Sequence, residues 1–133
     1  MRGKTASLVL CIALLSGTSS LPAHHAFTAE FDGSKPIELV GTVTMVEWIN
    51  PHSWVHMDVK RPDGTVEAWM IELGTVGTLV RLGLKKNLLP VGTQIKISGF
   101  LAKDGSKKAN GRTATFADGR AFGLGSSAGA AAK

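Results

Sequence analysis

Four histidines in two short clusters are the residues of this chain best suited to chemistry. His24 and His25 are adjacent near the start of the chain. His52 and His56 lie in one later segment. Because neutral imidazole is the commonest side-chain ligand of transition metals, the two clusters point to a metal site. One ion can use both clusters only if the fold brings the start of the chain to the later segment.

The first 23 residues have the features of an export signal. Two positive residues precede an uncharged apolar core at 6–15, and the small-residue exit Leu21-Pro22-Ala23 follows it. The apolar core is too short to span a bilayer, which needs about 20 residues. We therefore predict cleavage after Ala23, export of the mature chain, and no membrane insertion after cleavage.

Cleavage at this position would leave His24 with a free α-amine beside its imidazole. The amine and one ring, from His24 or from His25, would offer two nitrogens to one ion. A third nitrogen from His52 or His56 would complete the T-shaped set called a histidine brace. Copper(II) favours tetragonal nitrogen and oxygen ligation, so copper is the first expected ion and zinc the second.

The spacing of the later two histidines limits how they can act together. On one strand, His52 and His56 would lie about 13 Å apart at roughly 3.3 Å per residue, too far to share an ion. A shared ion requires a bent strand or a His52 outside it, and Pro51 favours the second arrangement. Without an ion, both are ordinary strand histidines, one of them stacked on Trp54. Asp58 lies on the same strand face, either as the carboxylate that orients an imidazole or as a solvated residue.

Hydrophobic periodicity predicts five strands and one helix. Apolar residues alternate with polar ones over 52–60, and a Pro-Asp-Gly turn at 62–64 leads to the next strand. Thr75 is a possible N-cap of a segment with helical spacing. The predicted strands cover 38–48, 52–60, 65–73, 93–101 and 111–116, and the helix covers 74–84.

This order predicts an all-β fold with one short helix, namely a five-stranded OB-like barrel with the helix between strands 3 and 4. A small open sheet with one packed helix is the alternative. We expect the domain over 24–122, with an N-terminal arm at 24–36 anchored by Phe27 and Phe31. The Gly/Ala/Ser-rich segment 123–133 is expected to be a disordered tail.

An aromatic face is the competing site. OB barrels bind single strands or sugars on the face of their second and third strands, where Trp54 and Trp69 would lie. Lys107 and Lys108 are in the nearby loop. These four residues predict an organic or polyanionic ligand as the alternative to a metal. A third possibility is an adaptor domain that binds a protein partner in an envelope complex.

Composition narrows the function classes further. The formal charge of +5 includes two positive residues of the export segment, which leaves +3, too little to indicate nucleic acid. Cys11 is the single cysteine and falls in that segment, so the mature chain has no disulfide. The carboxylates are dispersed and no serine or threonine lies in a nucleophile motif. We therefore predict a binding protein and not an enzyme.

Several motifs resemble those of an uncharacterised family of small exported bacterial proteins, a domain of unknown function. The resemblance covers nearly the whole mature chain and implies export to the periplasm without an established activity. Where that family often has Arg-x-Gly-Trp, this chain has Arg81-Leu82-Gly83-Leu84, so no tryptophan role is carried over. The motifs that carry the resemblance are His24-His25-Ala26-Phe27, Glu30-Phe31-Asp32, Gly41-Thr42-Val43, Glu47-Trp48, Asn50-Pro51-His52-Ser53-Trp54, Ala102-Lys103-Asp104-Gly105-Ser106 and Asp118-Gly119-Arg120.

Overall fold

Strands make up most of the computed structural model, which describes residues 23–126 and the side chains from Ala26 onward. Two short α-helices and one 3₁₀ turn, Lys86–Leu88, complete the described part. The α-helices and strands run in the order α1 Ala23–Glu30, β1 Phe31–Glu47, β2 Trp54–Lys60, β3 Val66–Glu72, α2 Val76–Arg81, β4 Gln94–Ala102, β5 Lys108–Phe116 and β6 Ala121–Gly123.

The strands form one sheet in the order β3-β2-β1-β4-β5-β6. Neighbours in this order are antiparallel, and a further parallel pairing joins β3 to β5 through Met70–Glu72 and Lys108–Asn110. The pairings therefore return to their starting point, from β1 through β2, β3, β5 and β4 back to β1. Strand β1 makes this possible because its 17 residues pair first with β4 and then with β2.

A bulge interrupts β1 where it pairs with β2. Val43 is opposite Met57 and Met45 is opposite His56, so Thr44 is the extra residue. An extra residue shifts the inside–outside alternation of the strand by one position. As a result Val43 is fully buried while Met45 is 46% exposed.

The apolar core lies inside this ring of strands. The alternation predicted for β2 is confirmed, because Val55, Met57 and Val59 are each at most 4% exposed while the intervening side chains face outward. Helix α2 contributes Leu79, and it begins with the predicted cap, since the Thr78 amide donates to Thr75 Oγ1 at 3.2 Å.

Several predicted boundaries are wrong. Residues 23–126 form six strands and not five, and the sixth was not predicted because β6, with three residues, is too short to show a period. Strand β5 begins at Lys108, in the segment predicted to be a loop. It starts there because Lys108–Asn110 pair with Met70–Glu72 of β3. The helix expected over 74–84 occupies only Val76–Arg81.

The ends of the domain also differ from the prediction. The expected arm at 24–36 is helix α1 followed by the first residues of β1. Pro36 is tolerated there because only the β4 side of β1 is paired at that point. The predicted tail boundary at 123 is wrong, since Gly123 belongs to β6 and Leu124 is buried in the core. The predicted export segment, except Ala23, and residues 127–133 lie outside the described residues.

Candidate metal centre

The segment that carries His52 is held from both sides. The Asn50 side chain accepts a hydrogen bond from the Val76 amide at 3.0 Å, which ties the segment to the start of α2. Ser53 is fully buried, and its hydroxyl donates to the Ile49 carbonyl at 3.0 Å. Its backbone pairs with Leu73 and Gly74 at 2.8 and 3.1 Å. The peptide bond between Asn50 and Pro51 is cis. His52 is thus presented from a fixed backbone just before β2.

A cleft of about 250 Å³ opens beside this segment. One wall comes from helix α1 through Ala26 and Glu30. The other wall comes from the segment before β2 and from the ends of β2 and β3. Besides the two α1 residues, the lining consists of Ile49, Asn50, Pro51, His52, Trp54 and Glu72. The cleft therefore brings the start of the described chain to the Asn-Pro-His motif.

Glu72 lies at the bottom of this cleft beside His52. The Glu72 residue is only 8% exposed, and its Oε1 lies 3.3 Å from His52 Nδ1. The fully buried Asn110 donates to the same oxygen from Nδ2 at 3.2 Å. Burial raises the pKa of Glu72, and the nearby Glu30 carboxylate adds to the increase, while His52, Asn110 and Lys108 oppose it. With Nδ1 facing a carboxylate, Nε2 is the nitrogen of His52 left to bind an ion.

Helix α1 is attached to the sheet by a second apolar cluster, made by Phe27, Phe31, Phe100 and Ala102. Phe27 and Phe31 are 4% and 2% exposed, with ring centroids 5.9 Å apart. Phe100 contacts Phe27 edge-on at 5.8 Å. Lys103 adds two polar ties, because its amide donates to the Glu30 carbonyl at 2.9 Å and its ammonium donates to the Thr28 carbonyl. The expected anchoring by Phe27 and Phe31 is confirmed.

We expect a Phe27→Ala variant to release α1 from the sheet while the core inside the ring stays folded. A buried phenyl group replaced by alanine costs about 3–5 kcal/mol, more than the two Lys103 hydrogen bonds can offset at about 1 kcal/mol each. Hydrogen exchange followed by mass spectrometry should show faster exchange in the peptide that contains α1. Phe122→Ala is the matched control, since that ring packs on Phe116 away from α1. Equal protection of α1 in both variants would contradict this role of Phe27.

The structure places the backbone of His24 and His25 in α1, directly before Ala26 in the cleft wall. Their side chains lie outside the description. At a rise of about 1.5 Å per residue, the His24 backbone is roughly 3 Å along the helix axis from that of Ala26. The helix that carries His24 and His25 therefore meets the segment of His52 at one cleft.

His56 belongs to a different surface from His52. It lies within β2, and its Nε2 is 2.8 Å from Glu47 Oε2 of β1. His52 lies outside β2, as Pro51 suggested, and has Glu72 as its carboxylate partner. Asp58, the predicted orienting carboxylate, is exposed and contacts neither ring. Sequence reasoning missed Glu72 and Glu47, and the one signal for Glu72 is its place in an otherwise apolar run between Ile71 and Leu73.

The aromatic face predicted as the alternative ligand site is not continuous. Trp69 is a core residue, 3% exposed, and its indole donates to Glu67 Oε2 at 3.0 Å. Lys107 lies over the Trp69 ring at 5.4 Å and pairs with Glu67 Oε1 at 2.9 Å. Hydrogen bonds from Lys107, Trp69 and Arg61 lower the pKa of Glu67 to about 2.

Trp54 is the ring of the predicted face that reaches solvent. It is half-buried, and Lys108 Nζ lies 5.8 Å from its ring centroid. Trp69 is enclosed and Lys107 is already paired with Glu67, so Trp54 and Lys108 are the remaining pair of the four predicted residues.

Two features are absent from the part of the chain that the structure describes. Among the side chains described, no group of three or more His, Cys, Asp or Glu residues could hold a metal ion by itself. Within residues 23–126, neither helix is long and apolar enough to cross a membrane. A complete metal shell in the cleft therefore needs ligands beyond His52, Glu72 and Glu30.

Comparison with known proteins assigns the chain to a family. Neither the curated proteins nor the solved structures gave a match. One family model matches residues 12–112, which is more than half of the chain and includes α1, the His52 segment and Asn110. This confirms that the chain carries an uncharacterised domain. By this match, the chain belongs to the family of unknown function DUF6152.

Proposed function

We propose that the mature chain is a periplasmic OB-like barrel that binds one copper ion, or less favourably zinc, in the cleft between α1 and the His52 segment. The observation that carries this proposal is the lining of that cleft, where Ala26 and Glu30 of α1 face His52 and Glu72. The helix that carries His24 and the segment that carries His52, 28 residues later in the sequence, therefore form opposite walls of one cleft.

The strand pairings support the OB-like part of the proposal. A five-stranded OB barrel is closed by joining its third strand to its fifth, with a helix between the third and fourth strands. Here β3 pairs with β5, and α2 lies between β3 and β4 in the chain. The additional β6 extends the sheet from β5 and leaves this arrangement intact.

The ligand set would combine the two segments. After cleavage at Ala23, His24 supplies its α-amine and one imidazole nitrogen, and His25 is the substitute ring. His52 supplies Nε2 from the opposite wall, because its Nδ1 faces Glu72. Such nitrogen ligation suits copper(II), whose preferred geometry is tetragonal. Glu72 and Glu30 give the cleft a negative charge that compensates the cation.

The decisive experiment is a calorimetric titration of copper(II) into the mature chain beginning at His24. We expect one tight equivalent in the parent, and a loss of at least about tenfold in affinity in a His52→Ala variant. Lys107→Ala is the matched control and should bind like the parent, because Lys107 is paired with Glu67 away from the cleft. N-terminal sequencing of the protein purified from a periplasm establishes the first residue independently.

A His52→Ala variant that binds copper as tightly as the parent would overturn the proposal, since any remaining site would belong to the terminus alone. The folded domain would then need another ligand. Lys108 above the Trp54 ring is the observation that favours an organic or polyanionic ligand in that case. A protein that binds neither copper nor an organic or polyanionic ligand, but that co-purifies with an envelope protein, would instead fit the adaptor alternative.

A further inference from the structure

A row of sulfur and nitrogen ligands crosses three adjacent strands on the outer face of the sheet. Met45 of β1 is directly opposite His56 of β2, and His56 is directly opposite Met70 of β3. Residues directly opposite on neighbouring strands share a face, with Cβ atoms about 5 Å apart. Met45 is 46% exposed, while His56 and Met70 are half-buried. Two thioethers therefore flank one imidazole.

The bulge at Thr44 creates this row. With a regular pairing after Val43 and Met57, Thr44 would be opposite His56 and Met45 would be opposite the buried Val55. The extra residue instead turns Met45 outward to His56 and returns Val46 to the inside opposite Val55. Bulges occur preferentially where a functional side chain must be re-aimed. The remaining described methionine, Met57, stays in the core at 1% exposure.

Glu47 prepares the imidazole for a metal. Its Oε2 lies 2.8 Å from His56 Nε2, and a proton held between these atoms leaves the lone pair of Nδ1 unused. Nδ1 is the ring nitrogen nearer the backbone, at the level that the flexible thioethers on either side can reach. A cleft of about 390 Å³ lined in part by Thr44, His56 and Met70 reaches the ring from the side of Met70, while Met45 is itself exposed.

The charges around the row fit a monovalent ion. Glu47 supplies one negative charge directly behind the ring. Of the two cations that border the same cleft, Lys107 is paired with Glu67 and Lys108 lies over Trp54. Thioether sulfur is a soft ligand that selects copper(I) over harder divalent ions.

We propose that Met45, His56 and Met70 form a second metal site, specific for a soft monovalent ion such as copper(I). This site uses neither α1 nor His52, so it does not depend on the histidine-brace proposal. The imidazole binds through Nδ1, and the two sulfur atoms complete a three-coordinate shell.

Silver(I) is the redox-inert probe for this site. The mature chain, labelled with ¹³C in its methionine methyl groups, is titrated with silver nitrate in chloride-free buffer. We expect the methyl signals of Met45 and Met70 to shift in step up to one equivalent, while that of Met57 stays in place. Because these methyl groups report on the row alone, silver bound at the N-terminal cleft does not affect the reading.

Matched Met→Leu variants give the affinity. Under anaerobic conditions with ascorbate, copper(I) is partitioned between the protein and a chromophoric chelator. Met45→Leu and Met70→Leu should each weaken binding by at least about tenfold, and Met57→Leu should match the parent. Leucine conserves volume, so the folds of these variants are expected to be retained. Unshifted Met45 and Met70 signals, or equal affinity in all three variants, would overturn the proposal, whatever the outcome of the copper(II) titration.

Discussion

A Val55→Asp variant is expected to lose several kcal/mol of its free energy of unfolding. Val55 is 1% exposed near the start of β2, opposite Val46 on β1 and Ile71 on β3. A carboxylate in this position has no partner and must be desolvated or protonated, at a cost of about 3–5 kcal/mol. Small domains are stable by only about 5–15 kcal/mol, so the loss consumes much of the total.

Urea denaturation followed by tryptophan fluorescence measures this loss. Val66→Asp is the matched control, because Val66 is 60% exposed at the start of β3. We expect the control to change the free energy of unfolding by less than about 0.5 kcal/mol. If both variants unfold at the same urea concentration, the register of β2 described above is wrong.

If the proposed copper(II) site exists, one extra residue before His24 is expected to disrupt it. A chain that begins at Ala23 has its amine one residue too early, so the amine and the His24 ring can no longer bind one ion together. We expect the affinity to fall on the order of a hundredfold, which corresponds to about 2.7 kcal/mol. Calorimetry compares the copper(II) affinity of a chain that begins at Ala23 with that of a chain that begins at His24. The two chains are identical from His24 onward.

Combining the Ala23 start with His52→Ala tests whether both changes affect one ion. Each change alone breaks the same coordination shell, so the double variant should be little worse than either single one. Additive losses would indicate two independent sites. An Ala23 start without any loss would refute the amine ligand while leaving ligation by histidine rings possible.

The parts of the fold that sequence predicted are those where one local pattern dominates. The alternation in β2 reflects a strand with one buried face, and the Thr75 cap follows from its hydroxyl and the helical spacing after it. Helix α1 and the start of β1 were missed because their stability comes from tertiary contacts of Phe27 and Phe31. Strand β6, Ala121–Gly123, has only three residues, which is too short for an alternating pattern to be recognised.

The candidate sites, like the fold, are predictable from the sequence only where the pattern is local. His52 was identified from residue type and from the effect of Pro51 on the strand, but its partner Glu72 depends on β3 and β5 meeting. The sequence alone does not indicate the row of Met45, His56 and Met70, because the inside–outside alternation of β1 shifts by one residue at Thr44. A reading by strict alternation puts Met45 and His56 on opposite faces. Register, which is a tertiary property, decides both cases.

The short parallel contact between β3 and β5 has a consequence for the order of assembly. Its three residue pairs join positions 38 residues apart, whereas the hairpin of β2 and β3 requires only a five-residue connection. Loop-closure entropy favours the local hairpin first, so we expect the ring to close late in folding. Until then Glu72 and Asn110 are hydrated separately. The contact between Glu72 and Asn110 would therefore form only after the hairpin, so the carboxylate reaches its final position later than the strands that carry it.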